Sequence, residues 1–157
     1  MTKFKRLSCL AIVAIIGIAL STPVFASAER GTKEEAKALV EKAAAFYKAN
    51  GKEKAIEEFN KPEGQFVDRD LYLFAMDLNG IRLAHAKNQK LVGKSILEIK
   101  DVDDKPYGQE IMKLAKTKGS GWVDYKFTDP LTKKIAEKTS YGLLVDDIVI
   151  AAGAYKQ

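Results

Sequence analysis

The chain has a single cysteine among its 157 residues, Cys9, and it lies near the start. If the leader described below is removed, no thiol remains, which excludes disulfides, thiolate metal sites, cysteine nucleophiles and covalent haem attachment through a CxxCH motif. Histidine is as scarce: His85 stands alone. Without a second histidine or a thiolate, zinc ligation has no donor set, and haem held by a lone axial His85 has only weak support. The expectation is therefore no metal and no cofactor. A block of one charge sign is also missing. Lysines and arginines number 26 against 21 acidic residues, interspersed along the chain, so nucleic acid is not an expected partner. No serine sits in a nucleophile elbow and no glycine-rich loop is built to cradle phosphate. Asp101, Asp103 and Asp104 lack the glycine and terminal glutamate of a calcium loop. No base–nucleophile pair is visible, and the expectation is a protein that is not an enzyme.

What is present begins with a leader. Lys3, Lys5 and Arg6 precede an unbroken apolar run from Leu10 to Leu20, Pro23 follows, and Ala26-Ser27-Ala28 has small residues at the positions a signal peptidase reads. Cleavage after Ala28 and a periplasmic or secreted product are the expectation; retention as a membrane anchor is the alternative, although the run is short for a span of about 20 apolar residues. Cys9 precedes the run, which does not suit lipidation. Without the leader's three cations the net charge drops from +5 to +2. Residues 29–157 are then one domain, long enough to be held by its core alone.

Thr32 with Glu35 forms a capping-box pattern ahead of an amphipathic helix that Asn50-Gly51 ends. A shorter helix carries Ala55, Ile56 and Phe59 and stops at Pro62 and Gly64. Asp70 to Ala86 reads as a hairpin turning at Asn79-Gly80. A third helix runs from about Pro106 to Lys118. Gly121 to Tyr155 reads as a three-stranded meander with turns at Asp129-Pro130 and Asp146-Asp147. The order predicts an α+β fold: five mostly antiparallel strands, a long N-terminal helix, and helices gathered on one side.

The run LAHAKNQKLVGK at Leu83 to Lys94, the run GWVDYKFTDPLTKK from Gly121, then KTSY and a final AGAY together resemble single-Cache extracellular sensor domains, from about Gly31 to Tyr155. The resemblance implies a PAS-like five-stranded sheet outside the cytoplasmic membrane. It implies a pocket for a small metabolite, often a short carboxylate, between the sheet and its covering loops and helix. Most members are flanked by membrane helices and signalling modules. Here the reading ends the domain at Tyr155 and assigns signal transmission to a membrane receptor or kinase partner.

Lys138 carries the most information. It sits mid-strand between Ala136 and Ser140 on a face of small residues, and is either a solvent-facing lysine or a pocket cation for a carboxylate. His85 is either a hydrogen-bonded strand-end residue or a donor to an anionic ligand whose titration makes binding pH-dependent. Arg82 is a surface arginine after a tight turn or a guanidinium clamp. Tyr72, Tyr107, Trp122, Tyr125 and Tyr141 are candidate walls and donors. The leading expectation is a ligand-binding sensor using these residues. Its rival is a scaffold that forms a homodimer through the N-terminal helix without a ligand.

Overall fold

The computed structural model describes residues 29–156. The leader assigned to residues 1–28 lies outside them. Among the described residues no helix is long and apolar enough to cross a membrane.

Helix α1 spans Lys33–Asn50 and α2 spans Lys52–Phe59. The Thr32 side chain accepts from the Glu35 amide while the Glu35 carboxylate accepts from the Thr32 amide, so the expected capping box is formed. Six strands follow: β1 Val67–Asp68, β2 Leu71–Asp77, β3 Arg82–His85, then β4 Ser120–Thr128, β5 Ile135–Val145 and β6 Ile148–Tyr155. Helix α3, Tyr107–Lys118, lies between β3 and β4. All pairings are antiparallel in the order β1-β2-β6-β5-β4, with β3 also on β2. The five expected strands are β2 to β6; β1 is a two-residue addition at the start of β2.

The β2–β3 turn occurs where predicted because Gly80 takes a φ of 79°, a region that costs glycine nothing. The Asp77 carboxylate accepts from the Asn79 and Ile81 amides and ties the turn to the strand.

The helices do not gather on one side. Helix α1 buries Ala36, Val40, Ala43 and Tyr47 in a core with Leu73, Ile148, Ile150 and Ala152, whereas α3 buries Ile111, Met112 and Ala115 with Phe74, Met76, Val149 and Ala151. Neighbouring residues of β2 and β6 thus enter different cores. Successive side chains of a strand point to opposite faces, so a sheet apolar on both faces needs a cover on each. The central strand β6 is buried along its whole length.

Candidate functional site

The α3 face of the sheet carries an unusual set of polar side chains. On β5, Lys138 stands opposite Tyr125 of β4 and Tyr155 of β6. It is 1% exposed. Its stem passes close to Gly153: a Cβ there would lie 2.8 Å from Lys138 Cε and 2.1 Å from Ser140 Oγ. Glycine is what lets the lysine cross the sheet. The ammonium then sits 4.0 Å from the centroid of Tyr72 and 4.8 Å from that of Tyr155, with Phe74 and Phe127 at 5.7 and 5.6 Å. These aromatic faces stabilise a cation, though by less than water does.

Lys138 Nζ donates to Tyr72 Oη at 2.8 Å. Tyr155 Oη donates to the Thr128 carbonyl at 2.7 Å and lies 3.2 Å from Tyr72 Oη. Because Tyr155 has spent its proton on Thr128, Tyr72 donates to Tyr155, and the chain runs one way from Lys138 to Thr128. Burial pushes the lysine pKa down to about 7; the more distant charges of Asp70 and Asp129 oppose that fall only in part. Burial also raises the Tyr72 and Tyr125 phenols, which stay protonated.

Arg82 is the second buried cation, 2% exposed. Its Nη2 reaches Tyr107 Oη at 3.4 Å, and its Nε and Nη1 have no hydrogen-bond partner among the described residues. Tyr107, from the first turn of α3, stacks flat on Tyr125 at 4.2 Å, and Tyr125 Oη meets Ser140 Oγ at 3.0 Å. A guanidinium so weakly satisfied costs about 1–3 kcal/mol for each orphaned donor.

His85, on β3, lines the same cavity as the two cations. Its Nδ1 accepts from the Asn88 amide at 3.0 Å, so in the neutral ring Nε2 carries the proton. Its ring centroid is 5.1 Å from that of Tyr72 and 6.1 Å from that of Phe74. Burial, then the Lys138 charge, then the Arg82 charge, push its pKa down to about 3. In the ligand-free structure burial and the two neighbouring cations favour the neutral ring, and burial brings Lys138 toward neutrality.

Tyr72, Phe74, Arg82, His85, Tyr107, Tyr125, Phe127 and Lys138 line a small cavity of ≈ 10 Å³, about the space one water molecule needs. Asp70 and Asp129, both buried, are turned to another task. Arg30 bridges them, Nη1 to Asp70 at 3.2 Å and Nη2 to Asp129 at 2.6 Å. Asp70 also accepts from the Gly31 amide, and Asp129 from the Leu131 and Thr132 amides. Burial raises the Asp129 pKa, but the Arg30 bond and the Leu131 and Thr132 amides outweigh it and hold the carboxyl below its ordinary value.

His85, Lys138, Arg82, Tyr72, Tyr107 and Tyr125 thus converge on one cavity. Trp122 and Tyr141 do not. They pair with each other at 5.2 Å on the α1 face, Trp122 beneath Lys33 and Tyr141 beside Lys37. Each sits an odd number of residues from the pocket-facing Tyr125 or Lys138, so strand alternation sends it to the other side. Phe74, Phe127 and Tyr155 belong to the cavity or its hydrogen-bond chain and were not singled out from the sequence. Alternation from Tyr125 leads to Phe127, and from Tyr72 to Phe74; Tyr155 closes the AGAY run that carries the resemblance, and it meets Lys138 through the β5–β6 register.

Solved structures similar to this fold include a methyl-accepting chemotaxis protein from Vibrio parahaemolyticus RIMD 2210633, with 23% identity and a TM-score of 0.67 over 78% of this chain and 87% of that one. A periplasmic sensor domain of a chemotaxis protein aligns at 24% identity and TM-score 0.63, covering 79% and 90% of the two chains. A Cache chemosensory domain described for carboxylic acid recognition aligns at 25% identity and TM-score 0.62, covering 79% and 88%. The search of curated proteins returns no match. The family model for the Cache domain matches residues 31–157, and the protein belongs to the Cache-domain family.

Proposed function

We propose that this protein is an exported sensor module whose pocket binds a short organic acid and whose ligand state is read by a membrane receptor or kinase. The observation that carries the reading is the pair of buried cations, Lys138 and Arg82, on one cavity with no carboxylate of the chain paired to either among the described residues. A ligand carboxylate supplies the missing counter-charge: it accepts from Lys138 Nζ, from the free guanidinium donors and from His85 Nε2, and it keeps the lysine protonated. The solved relative described for carboxylic acid recognition supports that ligand class. Cleavage after Ala28 in the periplasm is part of the proposal, and a Cache sensor domain calls for no catalytic step.

Transmission has a physical route. Tyr155 bonds the carbonyl of Thr128, and the next residue, Asp129, is clamped to Arg30 just ahead of α1. A ligand that draws Lys138 away from Tyr72 acts at one end of this chain, and the entry to α1 lies at the other. Thermal-shift and calorimetric titration of the purified protein with short mono- and dicarboxylates test the reading. Binding by at least one of them, lost in Lys138→Ala, is expected; no response from any of them refutes it. The small cavity favours one second reading, a ligand-free scaffold dimerising through α1. Light scattering separates the two, because a tight dimer indifferent to every carboxylate fits only the scaffold.

A further inference from the structure

Lys138 is the only buried lysine among the described residues, and the hydrogen bonds around it leave one side of its nitrogen open. As a neutral amine it gives one N–H to Tyr72 Oη at 2.8 Å. Tyr72 gives its own proton to Tyr155, which gives its own to the Thr128 carbonyl. Neither phenol has a proton left for the amine, so the nitrogen lone pair is free of both. Lys138 and Tyr72 both line the cavity of ≈ 10 Å³. We propose that Lys138 is a nucleophile that captures a small aldehyde in this cavity as an imine. The proposal goes beyond the carboxylate reading, which uses the same nitrogen as a cation.

The reaction needs nothing the site does not hold. The Nζ lone pair attacks the carbonyl carbon, and the C–N bond forms as the carbonyl π pair moves onto oxygen. The oxygen then leaves with the two protons the amine carried, as one molecule of water, and the C=N bond remains. Nothing is oxidised or reduced, and returning water reverses the step. While the oxygen bears negative charge, the unpaired Nε and Nη1 of Arg82, on the same cavity, are donors for it. The product sheds a charge as well. A neutral imine among Tyr72, Phe74, Phe127 and Tyr155 escapes the desolvation that an ammonium suffers there.

Size and charge select the aldehyde. The cavity holds about one water molecule, so the smallest carbonyl compounds fit with the least movement of its walls. Phe127 is half-buried, and its ring, with no polar atom, is held by packing alone; it also lines a neighbouring cleft of ≈ 220 Å³ that offers the way in. An uncharged molecule passes this aromatic wall without shedding the hydration of an ion. The titratable groups around the nitrogen are Arg82 and His85 of β3, Tyr72 of β2, Tyr125 of β4, Tyr155 of β6 and Tyr107 of α3. Of these only Arg82 is charged at neutral pH, because burial favours the neutral imidazole and the neutral phenols. Burial also brings the Lys138 ammonium down to about 7, against the weaker opposing charges of Asp70 and Asp129. About half of it is then free amine at pH 7, against about 1 in 2,500 for an exposed lysine.

The test is reductive trapping on the purified wild-type protein. Acetaldehyde with cyanoborohydride turns each imine into a stable ethylamine, and peptide mapping by mass spectrometry reads the rate at each lysine. At pH 7 Lys138 is expected to be labelled about tenfold or more faster than exposed lysines such as Lys113 and Lys116. Its rate should level off above about pH 8, whereas theirs should go on rising to pH 10. In denaturant the difference should vanish. Label confined to exposed lysines, or Lys138 labelled only in the unfolded chain, overturns the inference while leaving the carboxylate reading standing. Labelling of Lys138 in a protein that ignores every carboxylate supports the inference and refutes that reading.

Discussion

Replacing Lys138 with methionine should make the ligand-free protein more stable while abolishing its response to carboxylates. Holding the ammonium in the core below pH 7 costs about 5 kcal/mol, the free-energy equivalent of its pKa falling from 10.5 to about 7. Methionine fills most of the same volume without charge and gives up the hydrogen bond to Tyr72, worth about 1–2 kcal/mol. The balance at pH 6 is a gain of about 3 kcal/mol, or about 10 °C in melting temperature for a domain of this size. The pH dependence identifies the cause. Because the folded pKa lies below the unfolded one, the unfolded wild type binds more protons between pH 7 and 10.5, and its stability rises with pH through that window. Below pH 7 the full penalty stands. The gap between the variant and the wild type should therefore be widest at pH 6, vanish near pH 9 and reverse by about 1 kcal/mol by pH 10, where the lost Tyr72 bond outweighs the remaining penalty. Calorimetric melts of both proteins across that range measure it directly. A gap that does not change with pH, or a variant less stable than wild type at pH 6, would refute the claim that Lys138 is a strained buried cation.

The same lysine predicts that carboxylate binding at pH 8 takes up a proton, seen as a binding enthalpy that changes with the ionisation enthalpy of the buffer; equal enthalpies in phosphate and Tris argue against it. Gly153→Ala forces a Cβ to within 2.1 Å of Ser140 Oγ and should cost about 3 kcal/mol or more in denaturant unfolding, a loss that a truncated residue 138 relieves only in part because Ser140 still clashes. Asp129→Ala leaves Arg30 without its shorter partner and should cost about 2–4 kcal/mol in the same assay. The Asp129 carboxylate stabilises the wild type above its unfolded pKa, and that contribution disappears as acid protonates it below about pH 4.

Much of this architecture is local and therefore legible in the sequence. The Thr32–Glu35 box, the Asn79-Gly80 turn and the alternation that puts Lys138 on one face with Ala136 and Ser140 each depend on a few neighbouring residues, and each is formed; that this face is buried is not a local property. The rest depends on what the sheet meets. Periodicity gives α3 an apolar stripe but not the face it will cover, so the division of the helices between two cores was not legible. Aromatic type alone placed Trp122 and Tyr141 among the pocket candidates, although alternation already separated them from Tyr125 and Lys138. The low pKa of His85 comes from burial, from Lys138 brought in by β5 and, last, from Arg82 of its own strand. The Arg30 bridge joins segments 40 and 99 residues apart, beyond the reach of any local pattern.

The close passage of the Lys138 stem over Gly153 ties two positions into one heritable unit. A chain that keeps the lysine must keep the glycine, since any side chain at 153 occupies the space the stem uses. A chain that first shortens residue 138 removes only part of that constraint, because Ser140 Oγ and the Thr139 carbonyl remain within 2.5 Å of the added carbon. The order of substitution therefore matters. Losing the cation takes one change, whereas regaining it after residue 153 has grown takes two, the return of the glycine first. Within this fold a buried lysine at 138 is easier to lose than to reinvent.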